Sequence, residues 1–426
     1  MRRQRRGGKP NLQQALLDSI VRRYLTSHDF NGAGVGQVDK RAVARLRKLV
    51  STGKLTIEFG DRHPNPHIKT FCEESREIQL QKLDQVGLEH ACLYPSREVL
   101  AERVDRAIYA GKPYTLELAL GAGQLEVRYF DLTVLERYQR DPRFHYTCND
   151  VGGRFSISSD ATDKGYAAAR DQVFIQDFGF AYNERFHRAA AAFLRYLADL
   201  NPEHQQFWKA HELDSTGWKA HPGWWASSMG HWPQRVPLFQ AFVKELQIIN
   251  AMCRAIGWPP LFLNDFPEDT RPREFAFLLR PTKAAFGSFV HLLDKVMSDN
   301  LSRDFFEAQG MVLEREVPRD DGRMIVQQKG TIALLEEWFA ENFETSDPEP
   351  LERATAAFKE IRKLRQKPAH TVDQDKFDPA LFEQQRELML RAYGAVKVLR
   401  LALTNHPLAA TVDVPGWLYE GRIYPL

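Results

Sequence analysis

Cysteine is scarce in this chain, and what there is does not cluster. Cys72, Cys92, Cys148 and Cys253 are the four in 426 residues, and none falls in a C-x-x-C pair. Neither a disulfide framework nor a zinc site is therefore expected, and reduced thiols in a cytoplasmic protein are. Long apolar runs are missing too. No stretch approaches the roughly 20 residues that a helix needs to cross a bilayer, so no membrane association is expected. Charge of one sign is not in excess either: the formal net charge is +2. Any contact with nucleic acid must then come from local patches rather than from the field of the whole molecule. Internal repeats are absent, and the only biased segment is the basic start MRRQRRGGKP. The residues after it are amphipathic and include Asp18, so there is no apolar signal core. An Arg-rich amphipathic start also suits a transit peptide, but the helix is needed by the first domain.

Phosphate-loop chemistry is lacking as well. The run Gly32-Ala33-Gly34-Val35-Gly36 comes after an amphipathic helix instead of a buried strand, with no Walker lysine and no dinucleotide spacing. Asp177-Phe178-Gly179 is a kinase-like tripeptide with no H-R-D and no Gly-rich loop in order with it. His63 and His67 sit on a proline-locked loop without a third ligand nearby, which reads as a turn rather than a metal site. No cofactor and no metal are expected.

Hydrophobic content of 43% and charged content of 27% are those of an ordinary globular protein. The length suggests about three domains, and the pattern divides the chain at 1–86, 87–280 and 281–426. The fold class expected is mostly α with an α+β middle. In the first part, a helix from Asn11 to Thr26 has Leu12, Leu16, Ile20 and Tyr24 on its inner side. A second, capped by Asp39, has Val43, Leu46 and Val50 inward and stops at Gly53. Lys54 to Phe59 alternates as a strand, and a turn leads to a second strand at Ile68 to Phe71. Helix, turn, helix and β-wing in this order resemble a winged helix-turn-helix module. The resemblance implies nucleic-acid contact through Lys40, Arg41, Arg45 and Lys48 on the second helix and Arg62 on the wing.

In the middle part, Tyr114–Leu120 and Gln124–Phe130 alternate around Gly121-Ala122-Gly123 as a hairpin, and Phe144–Cys148 with Arg154–Ser158 form another. Helices are expected at Asn183–Leu200, from Pro202, and at Leu238–Ile256. Trp208, His211, Trp218, His221, Trp224, Trp225, His231 and Trp232 crowd one stretch. Aromatic faces of this kind stack bases in some proteins, but here they are expected to pin a Gly- and Pro-rich loop to the core. Glu274 to Arg280 reads as a strand.

The last part contains the stretch with most chemistry. Leu351, Ala354, Phe358 and Ile361 recur at helical spacing, and the next step of that stripe lands on Arg365. A guanidinium at such a position must meet a partner, an anion or a water-filled cleft. Pro368 ends or kinks the helix near Gln366 and can fold His370 back beside Arg365. A titratable imidazole and a fixed cation suit metal-free RNA cleavage. The imidazole moves the proton of the 2′-hydroxyl or the leaving oxygen, and the cation stabilises the phosphorane.

Arg365-Gln366-Lys367-Pro368-Ala369-His370 resembles the R-x4-6-H signature of the HEPN superfamily, with Gln366 where that family often carries Asn, Asp or His. The resemblance implies a helical bundle and a metal-independent endoribonuclease with catalytic Arg365, His370 and Gln366. It further implies RNA as substrate, a homodimer with a composite site, and a toxin or antiviral defence role with an antitoxin or defence partner protein. Helices expected at Pro281–Asn300, Thr331–Phe343 and Leu381–Leu403 complete such a bundle, with a hairpin around Arg319–Gly322 inserted. The rival expectation is a non-catalytic nucleic-acid-binding or regulatory protein that uses the bundle to dimerise.

Overall fold

The computed structural model describes residues 12–34, 43–61, 65–69, 73–88, 91–185, 187–231, 234–267, 270–318, 324–344, 346–366 and 374–424. About 51% of the structure is helix and 17% strand, in several small sheets. The chain falls into two compact units. One comprises residues 1–134, 141–145 and 154–220, and the other 135–140, 146–153 and 221–426.

In the first unit, α1 (Leu12–Thr26) buries Leu17, Ile20, Val21 and Tyr24. Leu12, expected inside, is exposed, because the inner stripe lies one step round the helix from the expected line. β1 (Ala33–Gly34) and α2 (Val43–Ser51) come next. α2 stops at Gly53, whose φ of 69° gives the left-handed turn that a helix end requires. β2 (Leu55–Phe59), α3 (Arg76–Gln85) and β3 (Ala91–Pro95) complete a three-stranded antiparallel sheet with β3 in the centre. The partner of β2 is thus β3, reached through α3. Ile68 and Lys69, expected to open a wing strand, have irregular backbone, and Thr70 and Phe71 lie outside the described residues. Lys48 is exposed and Arg45 half-buried, whereas Lys40, Arg41 and Arg62 lie outside the described residues.

The chain continues with α4 (Arg97–Arg103), α5 (Pro113–Ala119), β4 (Val127–Phe130) and α6 (Thr133–Arg140). They lead to β5 (Phe144–Cys148), β6 (Gly152–Ile157), α7 (Ser159–Asp163), β7 (Phe174–Tyr182) and β8 (Arg188–Phe193). α8 (Leu194–Ala198), α9 (Pro202–Ala210) and β9 (Lys219–Ala220) close the series. The larger sheet has the order β4-β8-β7-β6-β5, with β9 added on β7. The second expected hairpin is present as β5–β6. The first is not: 113–119 is a helix, nucleated by Pro113 at its first position and burying Tyr114 and Leu118 one turn apart. The helix expected at Asn183–Leu200 is also corrected. Its Ala-rich run is strand β8, paired on both sides by β4 and β7, and Ala189, Ala190, Ala191 and Ala192 are all fully buried. Pairing on both edges and burial of the whole run are tertiary demands, and they override the helix preference of alanine.

The second unit adds α10 (Pro222–Ser228), β10 (Val236–Pro237), α11 (Leu238–Ile256), α12 (Lys283–Met297) and α13 (Arg303–Ala308). After these come β11 (Glu314–Pro318), β12 (Met324–Gln328), α14 (Thr331–Asn342) and α15 (Glu349–Gln366). α16 (Ala380–Thr404), α17 (Gly416–Tyr419) and β13 (Ile423–Tyr424) end it. All the helices expected after residue 280 are present, and one apolar core runs through α11, α12, α14, α15 and α16. On α16 the stripe of Leu381, Gln385, Leu388, Ala392, Val396, Leu399 and Leu403 at helical spacing is buried throughout. That glutamine explains why Glu274–Arg280 is not a strand. Its amide accepts from the Leu278 N–H and donates to the Ala276 carbonyl, both at 3.0 Å, so one side chain meets the backbone needs of an irregular segment. The expected β11–β12 hairpin is antiparallel, pairing Val317 with Ile325. Of the residues expected to pin the loop, Trp208, His221 and Trp224 are buried, His211, Trp218 and Trp225 are half-buried and His231 is exposed; Trp232 lies outside the described residues.

Candidate functional site

Asp294 sits on the buried side of α12, between Leu293 and Met297, and is fully inaccessible. A lone carboxylate there would be costly, so a cation has to reach it. Two do, both from the last turns of α15. Arg362 Nε donates to Asp294 Oδ1 at 3.0 Å, and Arg365 Nη1 donates to Asp294 Oδ2 at 2.6 Å. The same pair holds Asp299, just beyond the end of α12: Arg362 Nη2 reaches Oδ1 at 2.6 Å and Arg365 Nη1 reaches Oδ2 at 2.7 Å. Partial burial works to raise the Asp299 carboxyl, but the hydrogen bonds from Arg365 and Arg362 outweigh it and hold the group below its usual range. The hydrogen bonds that Arg365 donates to Asp294 and Asp299 likewise hold its guanidinium more firmly protonated. Two guanidinium and two carboxylate groups cancel, so the cluster as a whole carries no net charge.

Beside this cluster lies a cleft of about 620 Å³. Asp299, Arg362 and Gln366 line one side, and Arg303 and Asp304 at the start of α13 line another, with Leu263 and Ile332 as apolar wall. The wall is set by short backbone links. Phe262 bridges Leu301, and the Ser302 N–H donates to the Leu261 carbonyl at 2.9 Å. The Thr331 hydroxyl donates to the Ser298 carbonyl at 2.7 Å, which fixes the start of α14 against the end of α12. Arg303 is oriented by the far end of β12: its Nη1 donates to Gln328 Oε1 at 2.7 Å and its Nη2 to the Lys329 carbonyl at 2.5 Å.

No family model matches this chain, and no curated protein or solved structure matches it either.

Of the expected catalytic residues, Arg365 lies in the carboxylate clamp and Gln366 lines the cleft, adjacent on one helix end. His370 lies outside the described residues. The requirement that Arg365 meet a partner is satisfied within the chain. Asp294, Asp299, Arg303 and Arg362 were not singled out from the sequence. Asp294 carried a usable signal, since it lies among the buried positions Val290, Leu293 and Met297 of an otherwise apolar helix face.

For metal binding, His28, Asp29 and Asp199 in the first unit offer ligand atoms within 4.8 Å of one another. Arg195 Nη2 already stands 2.9 Å from Asp29 Oδ2, so a cation would compete with a resident guanidinium. His67, one of the two loop histidines, is engaged locally. Its Nδ1 is 3.1 Å from the Gly32 carbonyl and 3.4 Å from Cys92 Sγ; His63 lies outside the described residues.

Proposed function

We propose that the cleft at the end of α15 is the site of a metal-independent endoribonuclease. What supports the reading most is one juxtaposition: the R-x4-H segment begins at a helix end that borders a cleft of about 620 Å³ lined by Arg303, Arg362 and Gln366. In this reading, His370 exchanges the proton of the ribose 2′-hydroxyl or of the leaving oxygen. Gln366 orients the phosphodiester, and Arg365, whose bonds to Asp294 and Asp299 both leave from Nη1, stabilises through its other donors the charge that grows on the phosphorane. RNA is the substrate, and two copies bring two motifs to a shared site, as the resemblance to HEPN proteins implies. A role as a toxin or defence effector belongs to the same proposal. So does nucleic-acid contact at the N-terminal module through Lys40, Arg41, Arg45, Lys48 and Arg62.

A second reading rests on the ion pairs themselves. Arg365 is already shared by two carboxylates of its own chain, which is what a structural arginine in a non-catalytic dimerisation or regulatory module would look like. The two readings part on one assay. Purified protein is incubated with single-stranded RNA in EDTA, beside His370→Ala. Cleavage that persists in the chelator and is lost in the variant is the expected result; cleavage that needs Mg²⁺ or survives the substitution favours the second reading.

A further inference from the structure

Three arginines stand at or beside the cleft, and their surroundings differ. Arg362 and Arg365 are neutralised by Asp294 and Asp299. Arg303 is half-buried, and the two bonds that orient it go to neutral acceptors, the Gln328 amide oxygen and the Lys329 carbonyl. Among the described residues, no carboxylate oxygen comes within 4.0 Å of its guanidinium. A guanidinium is always charged and has five N–H donors in a rigid fork. Here two nitrogens are held by neutral groups, and the charge, on a wall of the cleft, has no carboxylate partner among the described residues. That arrangement suits an oxyanion brought by a ligand. The apolar wall of Leu263 and Ile332 gives the rest of such a ligand a surface that competes little for its charge.

We propose that Arg303 is the phosphate anchor of this cleft, binding a non-bridging oxygen of single-stranded RNA, and that the end of β12 positions it. The inference rests on the reading of the cleft as an RNA site, and it assigns substrate binding to Arg303 instead of to the Arg365 of the motif. Asp304, exposed on the same wall, opposes an anion and sets a limit on affinity.

The test is equilibrium binding of a short fluorescein-labelled oligouridylate to the full chain in EDTA, with His370→Ala as parent so that the probe stays intact. Arg303→Ala is expected to weaken binding about tenfold and to lower the salt dependence by about one phosphate contact. Arg303→Lys, which keeps the charge and loses the fork, falls between the two. Asp304→Asn, which changes charge in the opposite sense, tightens binding. Melting curves of each variant separate these effects from unfolding. A methylphosphonate oligomer of the same bases, with a neutral backbone, should not distinguish Arg303→Ala from its parent. The proposal is overturned if a folded Arg303→Ala binds the oligouridylate as its parent does, or if it loses the neutral oligomer equally. Its failure is distinct from failure of the nuclease reading. Chelator-resistant cleavage without Arg303-dependent binding removes only the anchor, and Arg303-dependent binding without any cleavage removes only the chemistry.

Discussion

At the scale of single residues, the clearest lesson is that two charges that look misplaced on separate helices belong together. Arg365 interrupts the apolar stripe of α15 and Asp294 interrupts that of α12; each anomaly was visible in the sequence, but only the fold says that they pair. Removing one partner leaves a buried charge behind. Arg365→Ala should therefore destabilise the protein by about 1–3 kcal/mol, at the lower end because Arg362 still holds Asp294 and the Arg365 side chain is 28% exposed. Urea unfolding measures it; a variant as stable as wild type would mean that the clamp contributes nothing. Asp150 gives a second case. It lies at the tip of the β5–β6 hairpin, is buried, and accepts a hydrogen bond from the first N–H of α11, at Leu238. Burial pushes its carboxyl up to about 7, against the bonds from the backbone. An acid raised on folding binds protons more tightly in the native state, so its contribution is present at low pH and lost as pH rises through about 7. Asp150→Asn keeps an acceptor without the charge. It should match wild type near pH 4, where both states hold the proton, and exceed it near pH 8 by roughly 3–4 kcal/mol, read from melts at the two pH values. Equal pH dependence in the two proteins would show that Asp150 does not titrate there. Nothing in the local sequence marks Asp150 as more than a turn residue, because its burial comes from a helix 88 residues away.

At the scale of elements, legibility tracked the source of the stabilisation. The amphipathic helices α12, α14, α15 and α16 were readable because periodicity and caps such as Thr282 are local signals. β8 was not, because its identity depends on neighbours that the sequence does not name. The same fact makes the strand sensitive. Ala191 pairs with Tyr129 on β4 and Gly179 on β7 and is fully buried. Ala191→Leu should cost about 1–3 kcal/mol by overpacking, whereas on a solvent-facing helix the same change would stay within about 0.5 kcal/mol. Denaturant unfolding decides between the two. The β11–β12 hairpin was legible from its turn and its alternation. Its function as a brace for Arg303, through Gln328 and Lys329, was not.

At the scale of the whole molecule, the two units differ in kind: one is built around small sheets, the other around a helical core. The candidate chemistry lies in the second, where a neutral arginine–aspartate cluster borders a cleft whose Arg303 has no carboxylate partner among the described residues. Cleavage by the 2′-hydroxyl needs no metal but does need that hydroxyl, and it leaves a cyclic phosphate behind. The most direct test is therefore made in EDTA on two oligonucleotides, one of DNA with a single ribonucleotide and one of DNA throughout, with the products weighed by mass spectrometry. The account predicts a single cut after the ribonucleotide, a 2′,3′-cyclic phosphate end, and no product from the all-DNA strand. Cutting of the all-DNA strand, or intact strands in both, would contradict it.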